Sequence, residues 1–290
     1  MGDRRIPYRM VVGTLIAGLF VLLVFATNVM GIALPSALLF FGGYLLLVFS
    51  ITRMRGEFGV PVHDFRISPT RLAVGIAGAS SFGEANLIAL SPLFWLCRSQ
   101  RGQPMPHALE GMALGERRGL GAPPVLAALA VAAVVSTIAG FWVMLYIGHA
   151  YGMGVNPTSD AIYLGQKEFT YTTSWVGFPQ PAQWDRLWGL VGGFAFTVTL
   201  LLLRHRFLWW PLHPAGYAAS SMRFMGLLWV PMLIAWLIKV PITRYGGYKL
   251  YEHCYPFFLG LILGEFIIGG ALWGLVGTIG KFGTYYFWPY

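Results

Sequence analysis

Residues 255–279 read YPFFLGLILGEFIIGGALWGLVGTI, and their single ionisable side chain, Glu265, sits near the midpoint. A helix needs about 20 apolar residues to cross a bilayer, so this run is long enough. A carboxylate at mid-membrane costs about 3 kcal/mol or more unless it faces protein or water. The run therefore has to be one helix among several. Glycines 260, 264, 269, 270 and 274 surround the carboxylate. Gly260/Gly264 and Gly270/Gly274 each have the small-xxx-small spacing that lets a second helix approach closely. The basic stretch KVPITRYGGYK, Lys239–Lys249, feeds into this run.

The rest of the chain is of the same kind. It is 57% hydrophobic and 11% charged, and its mean hydropathy is +0.64. A soluble domain carries roughly 25% charged residues. The apolar runs are near-continuous and lack period-two alternation, which argues against a β-barrel. The expected fold is an all-α, polytopic transmembrane helical bundle of about six full spans, in a single integral membrane domain over 1–290. The net charge of +9 comes from arginines that flank the apolar runs. Such residues face an anionic cytoplasmic leaflet. No basic cluster carries an RNA or DNA motif, so no nucleic-acid partner is expected. Cys97 and Cys254 are far apart and neither belongs to a CxxC pair, which leaves no zinc or disulfide framework. The first apolar run has no A-x-A-type cleavage site and is expected to be retained.

Spans are expected at about 10–30, 36–52, 125–149, 187–203, 224–238 and 255–279. The first two form a helical hairpin over 1–52. Residues 53–123 are cytoplasmic loops flanking a broken membrane segment, and 124–290 hold four further spans with an outside loop at 151–185. The broken segment, Leu72–Leu96, is interrupted by Gly75, Gly78, Gly83 and Pro92, with Ser80, Ser81, Glu84 and Asn86 at its centre. Arg66 and Arg71 precede it, and Arg98 and Arg101 follow. If both ends lie on one side, the segment is a re-entrant hairpin, tolerated only where protein or a cavity covers it. The alternative is one ordinary glycine-rich span. Ser68 is placed to cap a helix that begins at Pro69. His107–Arg118 fits a short amphipathic helix at the interface. The stretch Tyr151–Asp185 carries Asp160, Glu168 and Asp185 and is expected outside, folded as a cap, because long structureless loops are uncommon. With the N-terminus cytoplasmic, most basic residues fall inside. Lys167, Arg186, Lys239, Arg244 and Lys249 are left outside.

Glu265 is the leading site candidate, as a proton or cation relay or as a carboxylate holding a cationic group. The competing reading makes it a packing partner of Lys239. Ser81, Glu84 and Asn86 are candidates for lining a polar path, because helix ends within a membrane offer uncompensated N–H and C=O groups. Otherwise Glu84 sits at the membrane surface. His213, in a stiff turn between Pro211 and Gly216, reads as structural, since it lacks matched ligand spacing. His63-Asp64 and the pair His107/Glu110 read as organisers of loop ends. There is no HExxH, P-loop or dinucleotide fingerprint. Gly78–Gly83, GASSFG, lacks the GxSxG spacing of a nucleophile loop. No catalytic residue, metal or cofactor is expected.

Five patches in order along the chain carry a resemblance: Ile51–Pro61, Pro104–Glu110, His213–Gly216, Ile238–Gly247 and Phe257–Glu265. In them the chain resembles an uncharacterised bacterial membrane family related to the oligopeptide transporter (OPT) superfamily. That family's proteins have two related membrane halves, and this chain is similar to the C-terminal one. The resemblance implies an OPT-like secondary-transporter half in the inner membrane. It also implies a partner chain supplying the N-terminal half, or a homo-oligomer, and a small peptide or metal chelate moved with protons. The alternative function is a non-transporting structural subunit of a larger membrane assembly.

Overall fold

The computed structural model describes residues 7–59, 63–65, 67–98, 100–152, 159–222 and 225–280. Arg4, Arg5, Pro61, Arg66, Arg223, Lys281, the side chain of Asp160 and the aromatic tail at 282–290 lie outside the described residues. Among the described residues every regular element is helical. Six helices are long and apolar enough to cross a membrane: 8–28, 34–58, 122–150, 184–206, 225–245 and 247–277. The protein is an all-α, multi-pass membrane protein. Its chain divides into two compact units, 1–217 and 218–290, each taken by itself below.

In the first unit, α1 (Tyr8–Asn28) and α2 (Leu34–Phe58) form the expected hairpin, turning at Gly31 with φ +72°. α2 runs past residue 52 because ITRMRGEF continues the helix, with Arg53 and Glu57 paired across one turn. It stops at Gly59, whose left-handed φ of +59° ends the helix cheaply. α3 (Pro69–Ala77) starts as its sequence dictates: Pro69 takes the first position, and the Ser68 hydroxyl accepts the Arg71 N–H at 3.5 Å. The segment that follows is not one span. Gly78 (φ +84°) ends α3, and a 3-10 turn covers Ala79–Ser81. Gly83 (φ +73°) starts α4 (Glu84–Leu90), and a second 3-10 turn at Pro92 leads into α5 (Phe94–Arg98). The longest of these helices, α3, has 9 residues. At 1.5 Å per residue it covers about 14 Å, half of a bilayer core.

The hairpin holds the broken segment in place. Ala26, Ile32, Ala37, Phe40 and Phe41 pack with Leu90, Leu93 and Cys97 in one apolar core. The Asn86 carboxamide spans both parts: its oxygen accepts the Ala33 N–H at 2.7 Å and its nitrogen donates to the Phe82 carbonyl at 2.9 Å. α6 (Pro104–Arg117) lies against the end of α2, where Gly56 leaves room for Leu109. α7 (Ala122–Tyr151) follows after Gly119, and nothing in its span window is buried.

The stretch expected to fold as a cap is helical in its described part. It forms α8 (Ser159–Gly177), docked on α4 and on the turn at Pro92, and then the loop that enters α9 (Trp184–Arg206). Trp175 and Val176 pack on Val74, Ala79 and Leu87, and the Thr172 hydroxyl meets that of Ser91 at 2.5 Å. The sequence-based sidedness places Arg71 inside and Glu168 outside. In the structure the two are ion-paired, so they share one side. α10 (Pro214–Ser220) begins beside His213, whose Nδ1 accepts the Ala215 N–H at 3.1 Å.

The second unit is a helical hairpin with almost no connecting loop. α11 (Met225–Tyr245) and α12 (Gly247–Glu265) meet at Gly246, and Gly247 takes φ +63°. The basic stretch 239–249 is therefore not a separate polar segment. Lys239 and Arg244 belong to α11, and Lys249 to the first turn of α12. A π-helical stretch, Phe266–Leu272, follows Glu265 directly and leads into α13 (Trp273–Gly280).

The two glycines of the broken segment separate backbone strain from close approach. Both have φ/ψ values that side-chain-bearing residues adopt at a cost of about 1–3 kcal/mol. A Cβ at Gly78 would also lie 3.0 Å from the Ala182 nitrogen, whereas at Gly83 it would meet open space. Gly78→Ala should therefore lower the melting temperature in detergent clearly more than Gly83→Ala. Equal shifts would show that the 178–183 loop does not rest on Gly78.

Candidate functional site: a charged cleft beside the broken segment

The broken segment carries its charge at the base of α3. Arg71 lies in the first turn of that helix, and its guanidinium carbon is 4.0 Å from the ring centre of Tyr171 and 4.5 Å from that of Phe94. Its Nη2 donates to Glu168 Oε2. The Glu168 side chain is only 5% exposed and that of Arg71 25%. Burial pushes the Glu168 carboxyl above the usual carboxylate range, and the Arg71 hydrogen bond and charge pull it back. Arg71 Nε is buried with no hydrogen-bond partner among the described residues.

Beside this pair is a cleft of about 190 Å³ between α3, α8 and the start of α9. Arg71, Tyr171, Ser174, Trp175, Gln183 and Arg186 line it, with Gly75 in its wall. Two backbone bonds fix its rim: Ala79 N–H donates to the Gln180 carbonyl at 3.1 Å, and Gln183 N–H donates to the Gly75 carbonyl at 2.9 Å. Gln183 Nε2 donates to Gln180 Oε1 at 2.9 Å. A Cβ at Gly75 would stand 3.1 Å from Arg186 Nη1, so the missing side chain makes room for that guanidinium. The result is a cleft with two arginines, an amide pair and two aromatic walls.

The residues expected from sequence to form the path are distributed differently. Ser81, Glu84 and Asn86 stand together at the tip, but none lines the cleft. The Ser81 hydroxyl donates to the Ala77 carbonyl at 2.7 Å, and Asn86 is a structural bridge. Glu84 is exposed at the start of α4. Lys239 is not brought to Glu265. Its Nζ lies 5.3 Å from the ring centre of Tyr251, and Glu265 lies about 21 Å further along the helix at 1.5 Å per residue. Glu265 is exposed at the junction of α12 and the π-helical stretch. A Cβ at Gly260, Gly264, Gly270 or Gly274 would meet no heavy atom within 4 Å. No second helix of the described chain rests on them. The sequence reading missed Arg71, Glu168 and Arg186 as site residues. The available signal was the spacing of Glu168, Thr172, Trp175 and Val176, a stripe on one helix face.

A second polar cluster ties the loops together. Arg55 Nε reaches Glu110 Oε1 at 2.5 Å, Arg55 Nη1 meets His63 Nδ1 at 3.3 Å, and Asp64 accepts the Gln100 N–H at 3.2 Å. The sequence reading of these residues as organisers of loop ends matches this geometry. Among the described residues no group of three or more His, Cys, Asp or Glu side chains is placed to hold a metal ion.

Two measurements test these clusters. Removing one partner of a half-buried pair leaves the other charge uncompensated, at a cost of up to about 3 kcal/mol. Arg71→Met and Glu168→Leu should each lower the melting temperature, and the double variant should recover much of the loss. An additive double variant would mean that the two groups do not act as a pair. His63 supplies the pH test. Burial first, then the charges of Arg55 and His107, hold its imidazole below the ordinary value of 6.5. As pH falls below about 6.5 the unfolded chain takes up the proton first. The contribution of neutral His63 is therefore full above that pH and is lost as pH falls through the lowered folded value. The melting temperature should drop between pH 7.5 and 5.5, and His63→Gln should flatten that drop. The lowered Glu110 carboxyl titrates below this window.

The chain belongs to a family of unknown function, DUF6785, whose sequence model matches residues 2–289. No curated protein and no solved structure matches it.

Proposed function

We propose that this chain is a half of an OPT-like secondary transporter, seated in the inner membrane with its N-terminus cytoplasmic and moving a small solute with protons. The observation that carries the reading is the broken segment, an interrupted run of short helices with a half-buried Arg71–Glu168 pair and a charged cleft at its side. Ionisable groups held among membrane helices mark solute and proton routes more often than they serve packing. Broken helices are the usual builders of transporter sites. Glu265 is the coupling carboxylate in this proposal. Its support is its place in an apolar span immediately before a π-helical stretch, a distortion common at functional sites. The substrate class, a small peptide or metal chelate, rests on resemblance.

The competing reading is a structural subunit. It is favoured by one observation: no residue in the span windows of α7, α11 or the run from Gly247 to Gly277 is buried within this chain. Those surfaces suit contacts in an assembly as well as lipid.

Purified chain in liposomes with an outside-acid gradient and a lumenal pH dye separates the two. Addition of dialanine or ferric citrate should acidify the lumen, and Glu265→Gln should cut that flux about tenfold or more while keeping the melting temperature. Wild-type flux in that variant removes Glu265 from coupling. No solute-dependent flux, with a fixed set of unrelated subunits in native mass spectrometry, replaces transport with the structural role.

A further inference from the structure

We infer that the cleft between α3, α8 and α9 binds a small organic carboxylate carried on a flat apolar body, with Arg186 as the group that reads the carboxylate. The inference rests on the transport reading only for what happens after binding. The site itself is argued from its lining.

Charge comes first. Arg71 is already committed to Glu168 and is stacked against Tyr171 and Phe94. Arg186 is not committed: among the described residues it makes no ion pair, and its chain neighbour Asp185 makes none either. A guanidinium has five donors in a planar fork that matches a carboxylate bidentately. It stands beside Gly75, whose missing side chain leaves it room, and it is exposed to an arriving ligand.

Shape and polarity narrow the ligand. The cleft holds about 190 Å³, space for a ligand of around ten heavy atoms rather than a nucleotide. Tyr171 and Trp175 wall it and suit a flat apolar body. The Gln180–Gln183 amide pair stands on backbone fixed by the bonds to Gly75 and Ala79 and offers a polar edge. An anionic lipid headgroup shares the charge but lacks the flat apolar body that Tyr171 and Trp175 suit, so the soluble carboxylate is the occupant proposed.

The test is thermal unfolding of the purified chain in mild detergent, with benzoate as the probe, benzamide as its neutral isostere and chloride holding ionic strength constant. Benzoate should raise the melting temperature in a saturable way and benzamide should not. Arg186→Gln should weaken the benzoate response about tenfold or more while leaving the unliganded melting temperature in place. Arg186→Lys should recover part of it, since the charge returns without the fork. Gly75→Ala should also weaken it, by moving the guanidinium. Equal responses to benzoate and benzamide, or an undiminished response in Arg186→Gln, overturn the site. Mixed micelles of phosphatidylglycerol that stabilise the chain through Arg186, with no competition from benzoate, overturn the soluble carboxylate in favour of a lipid headgroup. Counterflow of labelled benzoate in proteoliposomes separates this inference from transport. Binding without counterflow defeats transport and leaves the site standing. Dialanine-driven proton flux without benzoate binding does the reverse.

Discussion

A helix that breaks in apolar surroundings leaves backbone N–H and C=O groups without their intrahelical partners, and each costs several kcal/mol if nothing replaces water. That constraint organises the first unit. The chain breaks at Gly78, and the freed Ala79 N–H and Gly75 carbonyl both find partners in the loop between α8 and α9. Gly78 has no side chain, so the backbone at 181–182 can come this close. Once that loop is fixed, α8 has to lie along α4, and its Glu168 and Thr172 fall opposite Arg71 and Ser91. The charged pair and the cleft are thus consequences of satisfying a broken backbone.

How much of this was legible follows from what each signal reports. Apolar run length reports a span directly, so the six long helices and their order were readable. So were the Ser68 cap and the breaks at Gly78, Gly83 and Pro92, because each acts within one turn. Residues 239–249 misled because glycine and proline signal interruption. In α11 Pro231 and Pro241 are both accommodated inside the helix, and only Gly246–Gly247 turns the chain. The docking of α8 was not legible for another reason. Its stretch is polar on average, which suggests an exterior cap but not what that cap rests on. Its partner, the face of α4, is about eighty residues away in sequence, and no local pattern says that two half-polar faces will meet.

The site candidates divide along the same line. Asn86 was singled out for its position at a polar tip, and its carboxamide does meet the backbone there, but as a brace to Ala33. Glu84 and Ser81 share the tip without a role in the cleft. Single-residue chemistry can flag a polar group in an apolar run, but only tertiary contact tells a brace from a lining. Arg71 and Arg186 carried no such flag, since each sits at the edge of an apolar run where an arginine is ordinary.

That ordinariness bears on the sidedness argument. The positive-inside rule counts basic residues that are free to face a leaflet. Arg71 is bound to Glu168, so it belongs to the packed structure and does not report on sidedness. Leaving Arg71 out of the count removes the charge that had assigned α3 to the side opposite α8. It leaves the proposed orientation resting on exposed arginines that make no ion pair among the described residues: Arg9, Arg98, Arg117, Arg118, Arg204 and Arg206. In that proposal sidedness rests on charges without an ion-pair partner among the described residues, and the depth of the cleft is set by its broken helix.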